Sequence, residues 1–260
     1  MTLPSLRRPA PPFRPPIAFA HRGASAYAPG NTLEAFRLAL VQGATGLESD
    51  AWLATDGVVV LVHDRIVRLP GHRIDVTRTT SIALAAVGVP TLAGLYAELG
   101  APGAPGAELS LDLEHPAVAE PAIEVAERAG AITRLWACHD DLDLLARLRR
   151  RSAEVRLVCS TRPSRVEGGM VELIERAAGL GLDALNLHGR DWTPELVERC
   201  HAVGLATFGW DAQDRPAMDH LLALGIDGLY SDAPDRLVAA IAARAMSARD
   251  NPGRPVGQGR

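Results

Sequence analysis

Lysine is missing from this sequence of 260 residues, so all 27 of its basic residues are arginine. Without lysine, Schiff-base chemistry and a phosphate-binding loop that depends on a lysine are both excluded. Aromatic residues make up only 4%, so the core has to be built mainly from Ala, Leu, Val and Ile. No apolar run approaches the length that spans a bilayer, and we therefore predict no stable membrane insertion.

Cysteine is also scarce. The three cysteines, Cys138, Cys159 and Cys200, are odd in number and show no C-x-x-C spacing, which argues against a disulfide framework. A reducing compartment fits this content best, and we predict a cytoplasmic location. The net charge of -4 implies no basic surface, so nucleic acid is not an expected partner. The sequence leaves a homodimer open.

The chain divides into one large domain with two tails. Residues 1–16, "MTLPSLRRPAPPFRPP", lack the apolar centre of a signal peptide and predict a flexible, Pro-rich arm. Residues 247–260 predict a disordered tail. Between them, residues 17–246 have the apolar content for a single α/β domain.

Short apolar runs alternate with helical stretches throughout this domain. The runs are 17–21, 47–53, 109–114, 134–139, 155–160, 184–189, 205–210 and 228–232, and helical stretches follow at 32–42, 91–99, 117–129, 141–151, 169–180, 194–203, 214–224 and 235–246. Eight strand–helix units in this length predict a TIM (β/α)8 barrel. The alternative is a doubly wound open sheet, but no Gly-rich dinucleotide motif follows the first strand. An extra run, "VVVLVHD" (58–64), predicts a β-hairpin after the second strand, with Thr55-Asp56-Gly57 as its turn.

Polar residues gather where the predicted barrel strands end. They are His21, Arg22, Glu48, Asp50, Asp112, Glu114, His139, Ser160, His188, Trp210 and Asp232, with His63 and Asp64 from the hairpin. Glu48 and Asp50 point to the same face of their strand, as do Asp112 and Glu114. Carboxylates that converge from separate strands suit one hard divalent cation, Mg²⁺ or Ca²⁺. Zn²⁺ fits less well because no His or Cys cluster has ligand spacing.

Several blocks of the sequence resemble the glycerophosphodiester phosphodiesterase family. "HRG" followed by "PGNTLEAF" resembles its first motif, and "ESDAWLATDGVVVLVHD" resembles its second. "LDLEHP" occupies the place of the third block, and "LNLHG", "GLATFGW" and "GIDGLYSDAPDRLV" resemble the last three strands. The resemblance covers about residues 17 to 240. It implies a TIM-barrel, metal-dependent hydrolase that cleaves small glycerophosphodiesters to sn-glycerol 3-phosphate and an alcohol.

The resemblance also implies roles for particular residues. His21 and His63 would be the acid/base pair, and Arg22 would hold a phosphate oxygen. Trp210 would line the glycerol or alcohol side, and we place His188 with the substrate-binding residues as well. Two imidazoles can work as opposite partners, one taking a proton from the nucleophile and the other giving one to the leaving oxygen.

The implied metal ligands are Glu48, Asp50 and Asp112. Here the chain departs from the family, which commonly reads E-x-K where this sequence has Asp112 and Glu114. Either Glu114 is a further ligand, or the register shifts so that Glu114 is the third ligand and Asp112 its neighbour. A second departure is Gly30, where the family usually has a loop glutamate.

These departures leave three functions open. We favour an active phosphodiesterase, because both histidines, Arg22 and three acidic residues are present. The first alternative is a catalytically weakened or inactive barrel that binds phosphodiester ligands. The second is a lysophospholipase D-like specificity, which would need an apolar groove at the barrel mouth.

Overall fold

In a computed structural model, the chain closes into a barrel of eight parallel strands surrounded by helices, which confirms the predicted TIM-type fold. The structure describes Phe13 and residues 15–100 and 106–250. The predicted arm (1–16) and tail (247–260) lie largely outside these residues, so both stay predictions. In the part described, no helix is both long and apolar enough to cross a membrane.

Eleven strands follow one another along the described chain. They are β1 (Ile17–Ala20), β2 (Gly46–Leu53), β3 (Val59–Leu61), β4 (Ile66–Leu69), β5 (His72–Asp75), β6 (Glu108–Leu113), β7 (Leu135–His139), β8 (Arg156–Ser160), β9 (Ala184–His188), β10 (Ala206–Trp210) and β11 (Gly228–Ser231). The barrel consists of β1, β2 and β6 to β11 in chain order, and β11 closes it against β1. β3 pairs antiparallel with the end of β2, which confirms the predicted hairpin.

The helices lie between the strands on the outside of the barrel. Those in the described residues are α1 (Leu33–Val41), α2 (Ser81–Ala85), α3 (Leu92–Leu99), α4 (Ala119–Arg128), α5 (Leu142–Arg151), α6 (Gly169–Gly179), α7 (Pro194–Val203), α8 (Arg215–Leu224) and α9 (Pro234–Asp250). Several helices begin after a residue whose side chain accepts a hydrogen bond from a backbone N–H of the first turn, such as Thr32 before α1 and Thr193 before α7. Gly204 ends α7 at a φ of 81°, a left-handed conformation that glycine adopts readily.

The β4–β5 hairpin and α2 are absent from the sequence-based prediction. β4 and β5 form a separate two-stranded sheet around the Pro70-Gly71 turn. Their side chains are mostly half-buried or exposed, so the runs lack a strong apolar signal. α2 has only five residues, which is too short to show a helical period.

Side chains on the barrel strands alternate between two apolar clusters. One cluster packs against the surrounding helices, and the other fills the barrel interior. Four aromatic rings dominate the interior, from Phe19, Trp136, Phe208 and Tyr230. The Trp136 and Phe208 rings meet edge to face at 4.8 Å between centroids, and Phe19 stacks on Tyr230 at 4.6 Å. The few aromatic residues of the sequence are thus concentrated where the barrel needs large side chains.

The amino-terminal end of the barrel is closed by an arginine and another ring. Phe13 packs edge-on against Trp136 at 5.7 Å between centroids. The Arg156 guanidinium lies 4.7 Å from the Trp136 ring centroid and 5.8 Å from that of Phe13. Trp136 also donates its indole N–H to the Glu108 carboxylate at 2.7 Å. This end is therefore packed and hydrogen-bonded, which leaves the opposite end for a site.

Candidate active site

A cavity of about 240 Å³ lies at the carboxyl ends of the barrel strands. It is lined by His21, Arg22, Glu48, Asp50, His63, Asp112, Glu114, Ser160, Thr161, Arg162, Arg165, Asn186, Trp210 and Tyr230. The cavity thus brings together every predicted site residue except His188. The roles that the resemblance implies for them stay predictions.

Three carboxylates meet at the base of this cavity. Glu48 and Asp50 lie on β2, and Asp112 lies beside Asp50 in the register of β6. One oxygen of each falls within 4.8 Å of the others, and both β2 side chains are buried. Burial first, and then repulsion by neighbouring carboxylates, hold the pKa values of Glu48 and Asp112 well above the ordinary range. Such a set is stable in its ionised form only with a cation between the oxygens, and an all-carboxylate set suits Mg²⁺ or Ca²⁺.

Glu114 does not belong to this cluster. It follows Asp112 by two residues and is exposed at the cavity rim, just past the end of β6. The strand register pairs Asp112, rather than Glu114, with Asp50. The geometry therefore favours Asp112 as the third ligand position over the shifted register that the sequence left open.

The loop after β1 holds the β2 carboxylates in place. The backbone N–H of Arg22 donates to Glu48 at 2.8 Å, and the Asn31 side-chain amide donates to Asp50 at 2.8 Å. The Ser49 hydroxyl donates in turn to the side-chain oxygen of Asn31 at 2.7 Å. Arg22 and Asn31 have φ values of 54° and 58°, a conformation that is costly for arginine and easier for asparagine. The two residues with this strained backbone are thus the ones that donate hydrogen bonds to Glu48 and Asp50.

Gly23 lets the same loop pass close to α1. Its φ is +80°, and a Cβ there would lie 2.6 Å from the Ala35 carbonyl carbon. At Gly30, a Cβ would lie 3.1 Å from the Cβ of Arg22. A glutamate at this position, as in the family, would therefore start next to the Arg22 side chain.

His21 is oriented by an aspartate from the last strand. Its Nδ1 lies 2.6 Å from Asp232, and Ser25 donates to the same carboxylate oxygen at 2.9 Å. The hydrogen bond from His21 lowers the pKa of Asp232, which keeps this carboxyl ionised. With Nδ1–H directed at Asp232, Nε2 is left facing Glu48 at 3.8 Å. The sequence predicts Asp232 at a strand end, but it does not predict the pairing of Asp232 with His21.

His63 reaches the cavity from the segment after β3. Its Nδ1 lies 2.9 Å from Asp64, the next residue, and its backbone carbonyl accepts the indole N–H of Trp52 at 3.2 Å. Both side chains of the His63–Asp64 pair are about half exposed. Each cavity histidine therefore has a carboxylate on Nδ1, and the His21–Asp232 pair is less exposed than the His63–Asp64 pair.

The side of the cavity formed by β8, β9 and β10 is basic rather than acidic. The Arg162 guanidinium lies 4.5 Å from the Trp210 ring centroid. Asn186 donates its side-chain amide to Ser160 at 3.1 Å. Local sequence signals do not single out Arg162, Arg165 or Asn186, although the two arginines follow the fifth apolar run within five residues.

His188 lies behind Trp210 instead of in the cavity. Its Nδ1 accepts the backbone N–H of Arg190 at 3.1 Å, so Nε2 carries the proton and donates to Asp211, also at 3.1 Å. The His188 and Trp210 rings pack edge to face at 4.4 Å between centroids. The structure therefore places His188 as a support for Trp210, and its predicted contact with substrate has no geometric backing.

Comparisons with known proteins agree with this architecture. A model of the "Glycerophosphoryl diester phosphodiesterase family" matches residues 21–89. A "Probable glycerophosphodiester phosphodiesterase 2" of Mycobacterium tuberculosis is 29% identical over 252 residues, which cover 88% of this chain and 91% of the relative.

Solved structures share the fold at lower identity. A putative glycerophosphoryl diester phosphodiesterase from Silicibacter pomeroyi superposes with a TM-score of 0.80 at 22% identity, covering 92% of this chain and 96% of its own. A phosphodiesterase from Oleispira antarctica, solved with the product sn-glycerol-3-phosphate, gives a TM-score of 0.74 at 22% identity, covering 87% and 97%.

Proposed function

We propose that this chain, which belongs to the glycerophosphoryl diester phosphodiesterase family, hydrolyses glycerophosphodiesters to sn-glycerol 3-phosphate and an alcohol with the help of one divalent cation. The observation that carries the proposal is the three-carboxylate cluster, whose two β2 members are buried, beside an oriented histidine. The Oleispira antarctica structure, which holds sn-glycerol-3-phosphate, supports the same product. The cytoplasmic location stays a prediction.

Glu48, Asp50 and Asp112 would hold the cation, which is Mg²⁺ or Ca²⁺ in this proposal. Once bound, the cation would offset the negative charge on a phosphate oxygen as that charge grows in the transition state. The contacts from Arg22 and Asn31 would keep the two β2 carboxylates in position for binding. The residues present therefore fit such a group without help from Glu114.

His21 and His63 would share the proton transfers. The nucleophile is a glycerol hydroxyl of the substrate or a water molecule, and it loses its proton to one imidazole as its oxygen bonds to phosphorus. Attack by water would give sn-glycerol 3-phosphate directly. Attack by the hydroxyl would give a cyclic phosphate, which water then opens to the same product. The other imidazole donates a proton to the oxygen of the departing alcohol. Asp232 supports this role for His21, because it holds the proton on Nδ1 and leaves Nε2 able to accept one.

Arg22 would bind a phosphate oxygen. Its Nε is buried, has no hydrogen-bond acceptor among the described residues, and lies 3.4 Å from Asp50. A phosphate oxygen at the cavity base would satisfy this donor, and a guanidinium matches two such oxygens at once. Trp210 would line the glycerol or alcohol side of the same cavity.

The test is turnover by metal-stripped protein, with Mg²⁺, Ca²⁺ and Mn²⁺ added back singly to a panel of glycerophosphodiesters. We expect release of glycerol 3-phosphate that depends on the cation and is lost in E48Q. A folded protein that releases none with any cation would overturn the proposal and favour a barrel that binds phosphodiesters without cleaving them. Cleavage of lysophospholipids instead would favour the lysophospholipase D-like alternative.

A further inference from the structure

Two arginines stand apart from the acidic cluster in the same cavity. Arg162 lies two residues past β8, and Arg165 ends the short 3₁₀ turn that follows it. Both line the cavity and are exposed to solvent. Within the described ranges, neither has a carboxylate within 4 Å, whereas Arg22 lies 3.4 Å from Asp50. Their charges are therefore available to a ligand.

Arg162 already occupies a face of Trp210, the tryptophan that lines the cavity. Its guanidinium lies 4.5 Å from the Trp210 ring centroid, and His188 packs against the same ring at 4.4 Å. A quaternary ammonium group binds best to an open aromatic face. At this ring it would meet a cation instead, so the wall disfavours alcohols that carry a positive charge.

Asn186 adds an acceptor to this wall. Its side chain is 5% exposed, and its amide nitrogen donates to Ser160. Its side-chain oxygen, Oδ1, has no hydrogen-bond partner in the part of the chain that the structure describes. A buried polar atom without a partner is costly, and a hydroxyl group on a ligand in the cavity would satisfy it.

We propose that Arg162, Arg165 and Asn186 form a subsite for the alcohol half of the substrate, which selects alcohols carrying both a hydroxyl and an anionic group. The arginines would bind a phosphate monoester or a carboxylate, and Oδ1 of Asn186 would accept the hydroxyl. The inference rests on the proposed function and adds the class of diester that the enzyme prefers.

The experiment compares four diesters that share the glycerophosphoryl half. The alcohol half is cationic in glycerophosphocholine and neutral in glycerophosphoglycerol. In the diester of glyceric acid, glycerophosphoglycerate, it carries a carboxylate and a free hydroxyl. The fourth is glycerophosphoglycerol with a phosphate monoester on its second glycerol. We expect kcat/KM to be highest for the phosphorylated diester or for glycerophosphoglycerate, and the better of these two identifies the anion.

The informative variant is R162Q, and R156Q is its matched control. Both substitutions remove an arginine stacked on a tryptophan, but Arg156 lies at the opposite end of the barrel. We expect R162Q to lower kcat/KM for the preferred anionic diester about 10-fold, while glycerophosphocholine is unaffected or improved. R156Q should leave the ranking of all four substrates unchanged.

Two results would overturn the subsite. One is a wild-type enzyme that cleaves glycerophosphocholine as well as the anionic diesters. The other is an equal loss for all four diesters in R162Q, which would mean that Arg162 serves the phosphate that is cleaved.

If no diester is cleaved, the proposed function fails, and the subsite is then tested by measuring ligand binding with calorimetry. Tighter binding of the phosphorylated diester by R156Q than by R162Q, with Mg²⁺ present, supports the subsite, and equal binding overturns it.

Discussion

One arginine stacks on a tryptophan at the start of β8 and another does so just past its end, and the two stacks differ in their surroundings. At the amino end, Arg156 lies over Trp136, which is 1% exposed and joined to the aromatic interior. At the carboxyl end, Arg162 lies over Trp210 beside a cavity. The contact is the same, but the second one borders a ligand-sized cavity. The role of such a pair is therefore set by what surrounds it.

The same contrast extends to the charged groups at the two ends. At the amino end, the carboxylate of Glu108 accepts a hydrogen bond from Trp136. At the carboxyl end, three carboxylates face one another within 4.8 Å. Proteins tolerate repulsion of this kind where a bound cation or a reaction requires it. We therefore expect substitutions at the amino end to change stability and those at the carboxyl end to change catalysis.

Trp136→Ala should give the largest effect. It removes a buried ring and leaves Glu108 without its partner, so we expect a loss of about 3–5 kcal/mol in the free energy of unfolding. The folded fraction should keep its kcat. Urea unfolding and kinetics below the transition measure the two quantities, and W136F is a milder control that keeps an aromatic ring. A fall in kcat for fully folded W136A would break the separation between the two ends.

His21→Gln and His63→Gln should show the opposite behaviour. Each removes a group that can carry a proton, so we expect kcat to fall by about 100-fold or more. The free energy of unfolding should change by no more than about 1 kcal/mol, because both side chains are at least partly exposed. H220Q, on the exposed surface of α8, is the control. Unchanged kcat in either variant would reject the assigned acid/base roles.

The carboxylate cluster should make stability depend on pH and on the cation. The pKa values of Glu48 and Asp112 are raised in the folded state, so the folded state retains protons that the unfolded chain has released. The free energy of unfolding of metal-free protein should therefore fall as the pH rises from roughly 4 through the raised pKa values.

Adding Mg²⁺ tests this prediction, because the cation binds the deprotonated carboxylates. We expect the rise in Tm on adding Mg²⁺ to be small at pH 5 and larger at pH 8. In E48Q, which removes one carboxylate, the rise should shrink at both values. An equal rise at pH 5 and pH 8 in the wild type would contradict the raised pKa values.

Local sequence signals were sufficient for the barrel and for most of the cavity. Apolar runs of strand length and capped helices predict the eight units, and strand ends of a barrel share one face. The E-x-D spacing on β2 correctly predicts two carboxylates side by side, because alternate strand residues share a face. What such signals cannot provide is the pairing of distant residues: Asp232 is 211 positions from His21.

His188 shows how a local contact can override the strand-end pattern. It ends β9 in the same alternation as Asn186, which does line the cavity. However, the chain turns immediately into the 3₁₀ helix Gly189–Asp191, and the His188 ring accepts the N–H of Arg190 within it. This bond, together with the one to Asp211, draws the ring towards the back of Trp210.

The smallest expected effects are the changes in the free energy of unfolding in R156Q and R162Q, which compare the two arginine–tryptophan stacks directly. R156Q should lower the free energy of unfolding by about 0.5–1 kcal/mol, because the Arg156 guanidinium contacts two rings and donates a hydrogen bond to the Thr133 carbonyl. R162Q should cost less than about 0.5 kcal/mol, since its side chain is exposed. Urea unfolding of both variants under identical conditions measures the difference. If R162Q costs as much as R156Q and leaves the substrate ranking unchanged, both stacks are structural and the distinction between the two ends of β8 is wrong.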